Sequence, residues 1–266
     1  MSNSQCVDLT ELASNYEDKR RMEPQDFDRL INYILHYGKV EGDVLEIGCG
    51  PGYYLVPLAQ RLPEASFYGV DITDAMLASA KAKVNRQAVT NCSLAKGNAH
   101  YLPLADYAFD FVLMSQVLHY FENLPVVIAE VYRVAKPKAR VLVITSSHLQ
   151  MKSQLDIALF PGLVKRDTAR IPSIEKIRYL FESGGFEILA AVAFASTFRF
   201  PSIEALVERV AQKPWSSYQL FSQREFTRRF RVFKRKLYQK FGHGEIAYLF
   251  PQTLLFFEKR RGKKSV

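Results

Sequence analysis

The sequence predicts an α/β fold: a doubly wound, mostly parallel seven-stranded sheet with helices on both faces and a helical cap. Three observations lead to this prediction. Strands and helices alternate along the first 147 residues, a glycine turn joins the first strand to a helix, and the 266 residues have an ordinary globular composition. With 48% hydrophobic and 24% charged residues, disorder and coiled coil are both disfavoured.

Five strands are predicted in the first part of the chain. They are short apolar runs at 43–47, 66–72, 92–97, 109–115 and 139–147. The helical runs between them include YYLVPLAQRL, DAMLASAKAKV and VVIAEVYRVA, and the second of these starts at the N-cap Thr73. Buried strands separated by amphipathic helices are typical of a parallel sheet.

The pattern changes after residue 147. Residues 148–171 mix apolar and polar side chains without a period, so irregular structure is expected there. A helix at 173–183 ends at a glycine pair, and strands follow at 186–196 and 253–260, the last antiparallel.

Three parts of the chain are expected. They are an N-terminal helical lid at 1–42, a cofactor-binding core at 43–147, and the rest of the sheet at 148–266 with an inserted cap at about 200–240.

The net charge of +9 is concentrated late in the chain, since residues 224–240 hold eight Lys or Arg and one Glu. This segment predicts an amphipathic helix at 221–241. Its apolar side carries Phe226, Phe230, Phe233, Leu237 and Phe241, and its other side Arg228, Arg231 and Arg235. We favour a helix docked on the protein body with solvated arginines; contact with RNA or an anionic membrane is the alternative.

The first fifteen residues are polar and acidic, and no run of eighteen apolar residues occurs. The three cysteines have no CxxC spacing, and no cluster of ligands has metal spacing. The sequence therefore predicts a cytoplasmic protein with no transmembrane segment, disulfide framework or metal site.

The glycine turn carries the first chemical signal. Gly48, Gly50 and Gly52 follow a strand and precede a helix, whose free N–H groups are expected to face an anionic ligand. The dinucleotide fingerprint would need glycine at Tyr53, and no GK[ST] phosphate loop is present. Asp71, near the end of the next strand, is suited to accept hydrogen bonds from both hydroxyls of a ribose.

Three segments resemble the class I S-adenosylmethionine (SAM) methyltransferases, and within them the bacterial type 11 methyltransferase domain. They are VLEIGCGPG at 44–52, GVDITDAML at 69–77 and GNAHYLPLADYAFDFVLMSQVLHY at 97–120. The resemblance implies the Rossmann-like methyltransferase fold and SAM as the cofactor.

The resemblance also implies the cofactor-binding residues. These are Glu46, Gly48, Gly50, Gly52, Asp71, Ile72, Asn98, Ala99, Ser115 and Gln116, with Tyr16 and Arg20 closing from the N-terminal lid. The family usually has Asp at Asn98, although an amide oxygen can still accept from the adenine amino group. Alternatively, Glu46 holds the turn through backbone hydrogen bonds, Ser115 and Gln116 only pack, and Tyr16 and Arg20 lie on a solvated charged helix.

Two histidines are candidate catalytic bases, because the pKa of histidine lies near neutrality. His119 follows the fourth strand and His148 the fifth. The alternative to catalysis for His119 is a structural role. An apolar acceptor pocket is expected from the aromatic residues Phe200, Trp215, Tyr218 and Phe221.

The predicted activity is in-line methyl transfer from SAM to a small organic molecule. Three other activities fit the same residues: a cyclase or lyase acting on SAM itself, an RNA methyltransferase using the basic helix, and a non-catalytic SAM-binding protein. A nucleic-acid partner is thus allowed but not favoured, and the sequence does not indicate the oligomeric state.

Overall fold

The computed structural model describes residues 22–260, so the predicted lid residues Tyr16 and Arg20 lie outside the described residues. Its seven strands are β1 Asp43–Ile47, β2 Ser66–Asp71, β3 Cys92–Lys96, β4 Phe109–Ser115, β5 Ala135–Thr145, β6 Phe186–Phe200 and β7 Ile246–Lys259. They form one sheet in the order β3-β2-β1-β4-β5-β7-β6. Strands β1 to β5 pair in parallel, whereas β7 lies antiparallel between β5 and β6. The predicted doubly wound, mostly parallel seven-stranded sheet is confirmed.

Eleven α-helices surround the sheet in the described part of the chain. They are α1 Pro24–Gly38, α2 Leu55–Arg61, α3 Asp74–Arg86, α4 Leu124–Val134, α5 His148–Ser153, α6 Leu155–Leu159, α7 Leu163–Arg170, α8 Ile174–Ser183, α9 Ile203–Ala211, α10 Ser216–Gln219 and α11 Gln223–Phe241. A short 3-10 turn at Leu118–Tyr120 follows β4.

Alternation along β5 divides the core into two layers. Val141 and Val143 belong to a cluster on one face of the sheet, together with side chains of α4 and α8. Leu142 and Ile144 belong to the cluster on the other face, with side chains of α1 and α2. Since successive strand residues point to opposite faces, a continuous apolar run covers both.

Helix α1 lies in the segment expected to form the N-terminal lid. Its Leu30, Ile31 and Ile34 are fully buried in the cluster that contains Phe111 and Leu113 of β4. This part of the segment therefore packs on the sheet.

The expectation of irregular structure at 148–171 is wrong, because three short helices occupy this segment. Ser147 and Gln150 form a reciprocal capping box that starts α5, and Met151 and Ile157 are buried. Helices of five to eight residues show too little of a helical period to be recognised in sequence.

Strands β6 and β7 extend beyond the sheet as a long hairpin and hold a separate helical cluster. Their pairing reaches from Phe186–Lys259 to Phe200–Ile246. The cluster at the far end contains buried side chains of α6, α7 and the three helices between the strands. We call α6, α7 and α9–α11 the cap.

Helix α11 packs its apolar side into the cap. Phe226, Phe233 and Leu237 are buried, Phe230 is half-buried and Phe241 is exposed. The side chains of Arg228, Arg231 and Arg235 are exposed. The predicted docking of the apolar side on the protein body is confirmed, and contact of the arginines with RNA or a membrane stays a prediction.

Candidate active site

The glycine turn between β1 and α2 satisfies its own backbone. The N–H groups of Gly48 and Cys49 both donate to the Val70 carbonyl, at 2.7 and 3.1 Å, and that of Gly52 donates to the Cys49 carbonyl at 3.0 Å. The Gly50 N–H donates to Asp71 Oδ2 at 2.9 Å. The turn thus uses these four N–H groups to fix its own shape. In the first turn of α2, the Leu55 N–H donates to the Glu46 carboxylate and the Val56 N–H donates to the Gly52 carbonyl at 3.3 Å, so these two groups are not free for an anion.

The three glycines have different roles, although all have a left-handed φ, at 70°, 53° and 75°. A Cβ on Gly52 would lie 2.9 Å from Val56, and one on Gly48 would collide with Val117. A Cβ on Gly50 would meet only Met76 Sδ, at 3.9 Å. Gly48 and Gly52 thus allow close packing, whereas Gly50 borders open space that a ligand can fill.

Asp71 is a nearly buried carboxylate at the end of β2. Its Oδ2 accepts from Gly50 and its Oδ1 accepts from the Thr73 N–H at 2.9 Å. Each oxygen keeps further acceptor capacity, so the carboxylate can still bind ligand hydroxyls. The next side chain, Ile72, is 57% exposed and offers apolar surface beside it.

Glu46 is buried on β1, and burial, with a smaller contribution from the Asp71 charge, raises its pKa well above the usual value. The Leu55 N–H donates to its carboxylate, while its Oε2 has no hydrogen-bond partner among the described residues. Glu46 therefore accepts a hydrogen bond from the backbone at the start of α2, next to the glycine turn. This agrees with the alternative role given for Glu46 in the sequence analysis, a structural one through backbone hydrogen bonds. Lys83, which the sequence did not single out, also supports the turn by donating to the Gly52 carbonyl at 3.3 Å.

Asn98 lies at the end of β3 with its side-chain oxygen already engaged. Its Oδ1 accepts from the His100 N–H and lies 2.9 Å from His100 Nδ1, and His100 Nε2 accepts from the Asn123 N–H at 3.2 Å. Ala99 is buried next to it. The chain thus orients Asn98 through His100.

A cavity of about 760 Å³, including its open part, lies between the carboxyl edge of the sheet and the cap. Ser115, Gln116 and His119 line it from the end of β4, and Tyr53 lines it from the glycine turn. Gln116 has a left-handed φ of 50°, and its N–H donates to the Ile144 carbonyl at 2.8 Å. The cavity therefore adjoins both segments expected to hold the cofactor.

The two candidate histidines differ in position. His119 lines the cavity, with its ring 4.1 Å from that of Tyr120. His148 does not line the cavity, and its Nε2 donates to the Ile171 carbonyl at 2.8 Å. Of the two histidines, His119 is thus the one placed to meet a ligand in the cavity.

Comparison with known proteins identifies the domain. Residues 45–143 match the family model described as "Methyltransferase domain". These residues form a methyltransferase domain. The family implies SAM as the cofactor.

The relatives of this methyltransferase domain match less than half of the chain. The chain is 30% identical over 122 residues to malonyl-[acyl-carrier protein] O-methyltransferase of Legionella pneumophila, covering 46% of this chain and 42% of that one. It is 34% identical over 106 residues to demethylmenaquinone methyltransferase of Lactococcus lactis, covering 40% and 42%. The matches thus span about two fifths of the length of these curated relatives.

A solved structure agrees with the fold of the methyltransferase domain. A SAM-dependent methyltransferase from Aquifex aeolicus superposes with a TM-score of 0.52 at 21% identity, covering 65% of this chain and 94% of that one. At this identity the likeness concerns the fold alone.

The aromatic wall of the cavity differs from the expected one. Trp215 lines the cavity, but Tyr218 and Phe221 are buried in the cap cluster, and Phe200 packs against that cluster. Phe198 and Phe250, which the sequence analysis missed, line the cavity instead. Their positions on the extended hairpin could have been inferred only from the pairing of β6 with β7.

Polar side chains of the cap and the adjoining β-hairpin also line the cavity. Asp167, Arg170, Ser216 and Ser217 contribute from α7 and α10, and Gln252 from β7. Nothing in the sequence distinguished these residues from solvated ones, since their segments show no clear periodicity.

Two features concern only the described residues, 22–260. No group of three or more His, Cys, Asp or Glu there is arranged to hold a metal ion. None of the helices in this range combines the length and apolar character needed to cross a membrane.

Proposed function

We propose that the protein binds SAM and transfers its methyl group to a small organic molecule held in the cavity. The observation that most supports this is the cavity itself. It is bordered on one side by Tyr53, Ser115, Gln116 and His119 of the methyltransferase domain and on the other by the cap. The cavity is lined by aromatic side chains and a few polar ones, as binding sites for small molecules usually are.

The main task of the protein's own residues is to bind SAM and the acceptor and to align them for methyl transfer. When bound, SAM supplies a methyl group on a sulfonium that is already an activated leaving group. We assign the ribose hydroxyls to Asp71, the space beside Gly50 to the methionine part, and the adenine to the surroundings of Ile72 and Asn98. Enclosure between sheet and cap excludes water and favours approach of donor and acceptor to about 3 to 3.5 Å.

His119 is the residue we propose as the general base. It faces the cavity, whereas the ring of His148 is used in a bond to the backbone. Tyr16 and Arg20 are proposed to close over the cofactor from the N-terminal segment. A cytoplasmic location is proposed from the odd number of cysteines, three, and their lack of CxxC spacing.

A small-molecule acceptor is favoured over RNA by the position of the charges. The exposed arginines of α11 lie on the face opposite to its buried side chains, and none of the cavity-lining residues belongs to α11. The relatives named above act on an acyl-carrier-protein-bound malonyl group and on demethylmenaquinone according to their names. Their shared chemistry supports methyl transfer without specifying this acceptor.

Product analysis tests the proposed reaction. The protein should convert SAM to S-adenosylhomocysteine only when an acceptor is present, as measured by mass spectrometry with a panel of small acceptors. Methylthioadenosine formed from SAM alone would contradict transfer and favour the cyclase or lyase alternative.

Binding of SAM is tested at Asp71. Asp71→Ala should lower SAM affinity about ten- to hundredfold in calorimetric titration, because charge-assisted hydrogen bonds are lost. Asp74→Ala is the matched control, since Asp74 is exposed and bonds only to Lys96 among the described residues. Equal affinities in both variants and the wild type would remove Asp71 from the site.

A further inference from the structure

The cap presents a buried ion pair to the cavity. Asp167 and Arg170 lie three residues apart on α7, and both line the cavity. Asp167 is 2% exposed, and the Arg170 side chain is 18% exposed. Charged groups are rarely buried to this extent unless they are paired or bind a ligand.

Each member of this pair is only partly satisfied by the protein. The Ser217 side chain hydrogen-bonds to the Asp167 carboxylate, and Arg170 Nη2 donates to Ser216 Oγ at 3.0 Å. Asp167 Oδ1 lies 3.6 Å from Arg170 Nη2, which is too long for a hydrogen bond. Among the described residues, Asp167 Oδ1 and Arg170 Nε have no hydrogen-bond partner. The pair therefore leaves one acceptor and one donor without a protein partner, on two residues that line the cavity.

We propose that the acceptor substrate is a flat, mostly apolar and uncharged molecule whose hydroxyl, or an equivalent primary amide, donates to the Asp167 carboxylate and accepts from the Arg170 guanidinium. This inference rests on the proposed function, since it takes the cavity as the acceptor pocket. It assigns a substrate-binding role to Asp167 and Arg170, and it leaves open which atom is methylated.

The balance of charge argues for an uncharged group. Asp167 and Arg170 carry opposite charges, so the pair is neutral as a whole. A carboxylate in this position would face Asp167, and an ammonium would face Arg170; either adds an uncompensated buried charge. A hydroxyl both donates and accepts, so it satisfies both atoms without adding charge.

The aromatic wall argues for a flat apolar body. The rings of Trp215 and Phe250 are stacked, with centroids 5.0 Å apart and an interplanar angle of 20°. Phe198 stands edge-on to both, at 6.4 and 5.2 Å. Such rings offer faces and edges on which another ring packs favourably.

Asp156 and Arg209 hold Trp215 in place. Its Nε1 donates at 2.7 Å to Oδ2 of Asp156, which is fully buried and also pairs with Arg209 Nη1 at 3.4 Å. The guanidinium of Arg209 lies 5.0 Å from the centroid of Trp215. A wall fixed in this way favours rigid planar ligands over ones that need it to move.

Equilibrium binding of matched probes tests the proposal. The probes are 2-naphthol, 2-methoxynaphthalene and 2-naphthoate, titrated into the full-length protein in the presence of S-adenosylhomocysteine. The methoxy probe cannot donate, and the carboxylate probe is charged. We expect 2-naphthol to bind about tenfold or more tighter than either, because the other two leave buried groups unsatisfied.

Variants at Asp167 test whether this residue causes the preference for 2-naphthol. Asp167→Leu, of similar volume, should reduce the preference for 2-naphthol over 2-methoxynaphthalene to within about threefold, and Asp167→Asn should retain part of it. Lys165→Leu is the matched control on the same helix, since Lys165 is exposed. Its preference should equal that of the wild type. If Asp167→Leu does not fold, the wild-type and Asp167→Asn titrations still decide.

Three results would overturn the proposal: equal binding of the three probes, tightest binding of 2-naphthoate, or no binding of any probe to a protein that binds SAM normally. Failure of the proposed function is recognised separately. In that case SAM itself does not bind, or S-adenosylhomocysteine is never formed with any acceptor.

Discussion

The glycine turn and the cap are organised by different interactions. In the turn, the Gly50 N–H donates to the Asp71 carboxylate, and the Gly48 and Cys49 N–H groups donate to the Val70 carbonyl, so short hydrogen bonds from the turn to the end of β2 fix the geometry. In the cap, aromatic rings from distant segments pack around Phe160, whose ring contacts those of Tyr218, Phe221, Phe226 and Phe233. The turn is therefore a local structure, whereas the cap depends on long-range packing.

This difference indicates where binding and specificity reside. A turn whose donors are used internally keeps its shape without a ligand, which suits a cofactor common to many relatives. A cap whose polar atoms at Asp167 and Arg170 lack partners depends more on what the cavity contains. Substitutions in the turn should therefore affect cofactor binding, and those in the cap should affect stability or the acceptor.

The largest effect is expected in the cap core. Phe233 is fully buried, so Phe233→Ala should lower the free energy of unfolding by about 3 to 5 kcal/mol, through lost apolar burial and the cavity that it leaves. Phe230→Ala on the same helix is the control, with a smaller loss because Phe230 is half-buried. Urea denaturation measures both, and equal losses would show that burial does not set the cap's stability.

The next largest effect is expected at the turn. Gly50→Val should lower SAM affinity about a hundredfold or more, because its side chain fills the open space at this position. Gly242→Val is the matched control, since Gly242 also has a positive φ, of 70°, and a Cβ there would meet nothing within 4 Å. Both variants carry backbone strain, but only Gly50→Val should lose affinity in calorimetric titration. A parallel loss in both would attribute the effect to folding.

His119 lines the cavity between the methyltransferase domain and the cap, so its substitution probes the place where the two regions meet. His119→Asn should lower the turnover number about a hundredfold while SAM affinity stays nearly unchanged, if the imidazole is the general base. His148→Asn, which removes the bond to Ile171, should lower the melting temperature instead. Full turnover in His119→Asn would remove this residue from the mechanism, and a joint fall in melting temperature and SAM binding would assign it a structural role.

The smallest effect is expected on the surface of the cap. Changing Arg228, Arg231 and Arg235 together to Gln should alter the free energy of unfolding by no more than about 0.5 kcal/mol and leave activity intact, because these side chains are exposed. An RNA-dependent activity that the triple variant abolishes would contradict this and favour the RNA methyltransferase. Activity assays at two salt concentrations, with and without RNA, provide the measurement.

Much of the fold could be predicted from the sequence because its signals are local. The strands at 43–47 and 109–115 have the same bounds in the structure, and the other three core strands differ by a few residues at their ends. The helices at 148–170 were missed, because they are short and are held by the capping box at Ser147 and by burial against distant segments. Burial of this kind leaves no regular period in the sequence.

The sequence by itself determined the alternating strands and helices, the glycine turn and the carboxylate at Asp71 that the turn holds. These depend on residue types at fixed short spacing, such as glycines that adopt a positive φ beside a strand end. Only the tertiary structure decided that His119 and not His148 faces the cavity, and that Asp167 and Arg170 belong to its wall. The physical reason is that these positions depend on how the β6–β7 hairpin sets the cap against the sheet, through contacts between residues far apart in the chain.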